Sequence, residues 1–152
     1  MKYFIFTLFF FASIQMNAQF NWDSKNWDKK SLGFGCGYGG SISKPVLIMQ
    51  DALINKRFVE IRDTLKSKVT AYQFLAAFLL EHLSNKKEIE LSSEELENIA
   101  KIKTSYKDVP VCSGCTYYVE EPLAILFNSE NEIYISANNW FNRYYQKYYE
   151  KK

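Results

Sequence analysis

The apolar positions of this chain recur mostly at helical spacing, and the longest apolar run past residue 18 is Val69–Leu83, VTAYQFLAAFLLEHL. Val69, Tyr72, Ala76, Leu79 and Leu83 form one stripe of a helix. Phe74, Leu75, Phe78 and Leu80 widen it until only Thr70, Gln73, Ala77 and Glu81 remain as a weakly polar edge. Such a helix belongs at the centre of a core. It is too short for a membrane span of about 20 apolar residues, and it carries Gln73, Glu81 and His82.

On either side the same period predicts further helices. Ser43 and Pro45 mark a start, and Leu47, Ile54, Phe58, Ile61 and Leu65 follow at spacings of seven, four, three and four. With Asn55 as an N-cap, this stretch divides into a helix over 45–54 and another over 56–67. Ser92-Ser93-Glu94-Glu95 spells a capping box for a helix ending near Lys103, with Leu96, Ile99 and Ile102 on one face. Residues 88–91 read as an extended connection, Leu123–Phe127 as a short helix begun at or before Pro122, and Glu132–Ser136 as a short strand or extended piece. The tail is an amphipathic helix with two aromatic lines, Trp140–Tyr144–Tyr148 and Phe141–Tyr145–Tyr149, opposite Asn142, Arg143, Gln146, Lys147 and Glu150. The predicted fold is mainly α: stacked antiparallel helical hairpins in a single domain, with at most one or two short strands.

The amino terminus changes the picture of where this domain works. Lys2 is followed by the apolar run Tyr3–Ile14 and then Gln15-Met16-Asn17-Ala18, the pattern of a signal peptide cleaved after Ala18. The expected organisation is therefore a signal peptide over 1–18, an N-terminal arm and glycine-rich loop over 19–44, and a helical domain over 45–152. The expected location is secreted or periplasmic, with no transmembrane segment in the mature chain. Net charge is +2 and drops by one with Lys2, so nothing selects nucleic acid as a partner. No Asn-x-Ser/Thr sequon is present, which suits a bacterial envelope. In the arm, Asn21-Trp22-Asp23 and Asn26-Trp27-Asp28 form a small duplication, read as anchors onto the body.

Candidate chemistry is confined to three places. Five of six glycines fall between Gly33 and Gly40 and predict irregular, tight-turning backbone. Gly35, Gly37 and Gly40 satisfy G-x-G-x-x-G in spelling, but no buried strand is evident before them and Glu60 falls in a helical pattern, so a nucleotide site is not supported. The second place is the C-x-x-C of Cys112 and Cys115, which with Cys36 makes three cysteines for one disulfide. Cys36 with either member of the pair is the expected bridge, ahead of Cys112 with Cys115. Those cysteines and His82, the only histidine, would also make a Cys₃His zinc set, and the pair alone a thiol-redox site. No resident cofactor is expected beyond that zinc alternative. The third place is the aromatic face of the tail, Trp140, Phe141, Tyr144, Tyr145, Tyr148 and Tyr149, read either as docked onto the body or as a partner surface.

With its VCSGCT segment at residues 111–116, the chain resembles small exported bacterial proteins of uncharacterised role, a resemblance carried by residues 69–116 that implies no activity. Elements of the serine-hydrolase elbow and of the zincin motif are missing, and the pairs Glu94/Glu95 and Glu120/Glu121 are ordinary for a helix start and a loop. The sequence therefore points to a non-catalytic interaction or structural module of the envelope, its partner an envelope protein or a second copy of itself. The alternative is a thiol oxidoreductase or zinc-binding protein centred on Cys112 and Cys115.

Overall fold

The structure, a computed structural model, describes residues 29–114 and 117–150. Strand β1 (Leu32–Cys36) leads into helices α1 (Lys44–Ile54) and α2 (Phe58–Asp63), a 3₁₀ turn (Thr64–Lys66), α3 (Thr70–Asn85) and α4 (Ser93–Lys103). Strands β2 (Asp108–Gly114) and β3 (Tyr117–Pro122) follow, then α5 (Leu123–Leu126) and α6 (Glu132–Tyr148). The signal-peptide and tryptophan-arm readings, and Cys115, lie outside the described residues.

Helix α3 is the centre of the core, as its pattern predicts. Phe74, Leu75, Phe78, Leu79, Leu80 and Leu83 are fully buried, and so is Ala77, which the sequence had placed on the polar edge. The capping box of α4 is formed, with the Ser92 hydroxyl accepting from the Glu95 amide and the Glu95 carboxylate accepting from the Ser92 amide. Leu96 nevertheless lies 54% exposed, so Ile99 and Ile102 are the buried residues of that helix. In α1 the buried face is Val46, Met49 and Leu53, one position off the predicted stripe, and Leu47 is exposed. The reason is the break at Lys56, whose φ of 55° ends one helical phase before the next begins, so no single stripe runs through both helices. Asn55 accordingly closes α1 and does not cap α2, whose N-cap is Arg57.

A mixed three-stranded sheet of order β1-β2-β3 corrects the mainly α reading to α+β. β1 runs parallel to β2, with Leu32 opposite Val111 and Cys36 opposite Gly114. β2 pairs antiparallel with β3 from Asp108↔Pro122 to Ser113↔Tyr117. Pro110 is tolerated in the middle strand because the parallel ladder begins only at Val111, leaving Pro110 paired on one side. The buried faces of the sheet, Leu32, Val109 and Val111, join the same core cluster as α3. A second correction concerns Glu132–Ser136, which is the first turn and a half of α6. Asn131 caps that helix by accepting from the Ile133 amide at 2.8 Å, and Ile133, Ala137 and Phe141 continue one buried line at a spacing of four.

Candidate functional site

Two of the three candidate places meet on one face. The glycine segment is a strand that turns back on itself: Cys36 and Ser41 exchange backbone hydrogen bonds at 2.7 and 2.8 Å, and the Ser43 amide donates to the Gly33 carbonyl at 2.9 Å. The buried Ser43 hydroxyl accepts from the Gly33 amide. Gly37 and Gly40 bracket the turn with φ of 67° and 62°, values that explain glycine at those two positions. The Gly37 amide donates to the Gly114 carbonyl at 2.7 Å, so the turn leans against the end of β2. At its apex Tyr38 is 95% exposed.

Below the turn, Cys36 and Cys112 form a disulfide, with Cα atoms 5.4 Å apart. Of the three pairings open to the sequence, this one joins the glycine segment to the C-x-x-C through its first member. Both sulfurs are committed to the bridge, so neither is a thiolate for the zinc set or for a Cys112–Cys115 redox pair. His82 is engaged elsewhere. Its Nδ1 lies 2.9 Å from the Phe78 carbonyl, its ring stacks on Phe78 at 4.0 Å, and Phe141 stands edge-on at 5.1 Å. Burial lowers its pKa below the ordinary histidine value, against the opposing pull of the Phe78 carbonyl, Glu81 and Asn138. Among the described residues no three His, Cys, Asp or Glu side chains converge as metal ligands.

The aromatic face of the tail divides in two. Phe141 and Tyr145 are buried, the Tyr145 hydroxyl donates to Glu88 at 2.8 Å, and the Tyr149 hydroxyl donates to the Leu53 carbonyl at 2.6 Å. This line is the docking edge of α6. The other line slopes outward: Trp140 is buried with its indole N–H donating to Gln50, Tyr144 is half-buried, and Tyr148 is exposed. Phe34 of β1 lies 5.5 Å from the Trp140 ring and extends the line to the glycine hairpin.

A cleft of about 220 Å³ opens along this junction. Phe34 and Ile42 line it from the hairpin, and Ser136, Asn139, Trp140, Arg143 and Tyr144 from α6. Arg143 is its only charged residue, and among the described residues this guanidinium has no hydrogen bond or ion pair. Sequence reasoning placed Arg143 on the polar side of α6 and missed its part here; the signal it had was Arg143 next to Tyr144, one turn after Asn139 and Trp140. Two other clefts are self-neutralising. One of about 440 Å³ sets Lys30 and Lys68 against Asp108 and Glu120, and another is lined by the paired Arg62–Glu95 and Lys66–Glu94.

Compared with protein-family models, with curated proteins and with solved structures, the chain matches none. No helix among the described residues is long and apolar enough to cross a membrane.

Proposed function

We propose that this protein is an exported, non-catalytic binding module of the bacterial envelope, secreted or periplasmic, and that it meets its partner through the glycine turn and the neighbouring cleft. The partner is an envelope protein or a second copy of the chain. The observation that carries this reading is Tyr38: a tyrosine 95% exposed at the tip of a turn fixed by five backbone hydrogen bonds and a disulfide. Tyrosine offers a large contact area with little side-chain entropy to lose, and a cross-linked turn has already lost its backbone freedom before binding. The Cys36–Cys112 bridge supports an oxidising compartment, where such bonds persist. The single histidine, turned into the aromatic core around Phe78, does not line the cleft.

The test places a photo-crosslinking amino acid at position 38 in the native host and, as a control, at Tyr106, which is 80% exposed. The expected result is a discrete adduct from position 38, absent at 106, with the melting temperature unchanged. Equal labelling at both positions, or none at 38, would overturn the reading.

A further inference from the structure

The cleft between the glycine hairpin and α6 has an unbalanced charge. Residues 29–50 contain no aspartate or glutamate, and neither do residues 133–149, while these stretches hold Lys29, Lys30, Lys44, Arg143 and Lys147. The acids nearest in sequence are turned to other partners: Asp51 pairs with Arg57, and Glu150 reaches Lys86 at 4.0 Å. Glu132 lines a separate cleft with Glu121 and Glu130. Among the described residues Arg143 is thus a planar cation without a counter-charge, in a cleft whose other polar side-chain groups are the Asn139 amide and the Ser136 and Tyr144 hydroxyls, the Trp140 N–H being donated to Gln50. A guanidinium fork beside an amide and a hydroxyl is a donor set for a carboxylate.

We infer that this cleft is a carboxylate pocket, and that it receives a glutamate or aspartate side chain from an acidic segment of a protein partner. The inference rests on the reading of this face as the contact surface and adds the chemistry of what enters it. Its size favours one side chain: about 220 Å³ is below the roughly 300–1,000 Å³ of small-molecule sites. The condition of the rings favours a peptide over a sugar. Trp140 is only 5% exposed and so does not present the open ring face on which a pyranose stacks. The rings instead give the cleft an apolar floor beside Arg143. Tyr38, four residues along the chain from Phe34 and so within about 13 Å of it, contacts the flanking residues of the same segment.

The experiment follows the Trp140 indole N–H by NMR in the mature oxidised chain. The titrants are a capped peptide Gly-Tyr-Glu-Glu-Tyr-Gly, the same peptide with both glutamates replaced by glutamine, and sodium glucuronate. The glutamate peptide is expected to shift that signal, with binding weakened about tenfold for the glutamine peptide and for Arg143→Gln, and less for Arg143→Lys, which keeps the charge but loses the fork. Arg143 is exposed and makes no internal contact by hydrogen bond or ion pair among the described residues, so both variants should melt as the parent does. Equal binding of the two peptides, an unaffected Arg143→Gln, or no shift at all would overturn the carboxylate pocket. Glucuronate binding more tightly than the glutamate peptide would overturn the peptide in favour of an acidic sugar. If position 38 still cross-links a partner after any of these results, the contact-surface reading survives without the pocket; if it does not, both fall.

Discussion

At the scale of single residues, His82 shows how the core sets a proton affinity. It lies in the last turn of α3, where the helix dipole favours a cation, yet burial among Phe78, Tyr134 and Phe141 outweighs that attraction and lowers its pKa. Glu81 and the Asn138 side chain favour the proton and Lys103 opposes it, and burial is the largest influence. The unfolded chain therefore takes up a proton near pH 6.5 while the folded chain still resists. Stability from this site is full above that value and is lost as the pH falls toward the lower folded pKa. Melting temperature is expected to drop between about pH 7.5 and 5.5, and the drop should flatten in His82→Gln. Equal slopes for the two proteins would refute that role. The run Val69–Leu83 puts His82 near a helix end, where it lies, but could not show the rings around it. Phe141 and Tyr134 come from α6, more than 50 positions away.

At the scale of elements, local signals were legible where they were complete within one turn or one stripe. The Ser92–Glu95 box and the apolar breadth of α3 needed no distant partner to be read. Glu132–Ser136 misled because Ile133 and Ile135 alternate as in a strand, although Ile133 begins the buried line to Ala137 and Phe141 and Ile135 is left 46% exposed. The docking of α6 has its own chemical signature. Burial, and for Tyr145 the hydrogen bond to Glu88, push the Tyr145 and Tyr149 hydroxyls up to about 12. The folded state thus holds these protons more tightly than the unfolded chain, whose tyrosines ionise near 10, and stability is lost as the pH rises from about 10 toward 12. Tyr145→Phe keeps the ring and removes the titration. It is expected to lose about 1 kcal/mol in denaturant unfolding at neutral pH, from the hydrogen bond to Glu88, and to lose less than the parent between pH 10 and 12. Tyr148→Phe, on the outward line, should behave as the parent. A Tyr145→Phe variant with the parent's alkaline loss would mean that α6 is not held by this edge.

At the scale of the whole molecule, the feature hidden from sequence was the sheet, because β1 is bridged to its neighbour across a 76-residue separation of the two cysteines and its own composition argues against a strand. Glycine is depleted in strands for want of a side chain to pack, and β1 carries two. Gly33 has a reason that only the assembled fold reveals: a Cβ there would collide with both sulfurs of the Cys36–Cys112 bridge and lie 2.6 Å from the Cys112 carbonyl oxygen. The residue is glycine so that two strands and a disulfide can occupy one place. This gives a prediction in which the parts do not add. Replacing both cysteines, Cys36→Ala with Cys112→Ala, opens a loop of that length and is expected to cost about 4 kcal/mol in urea unfolding by the chain-entropy account, a large share of the roughly 5–15 kcal/mol of a typical domain. Gly33→Ala in the bridged protein should destabilise severely or leave the bridge unformed, as a free-thiol count would show. In the cysteine-free background the sulfurs are gone and only the clash with the Cys112 carbonyl remains, so the same Gly33→Ala should cost less, with a coupling of about 1 kcal/mol or more between the sites. Strict additivity across this cycle would mean that β1 tolerates the bridge without needing the glycine, and the packing account of that strand would have to be abandoned.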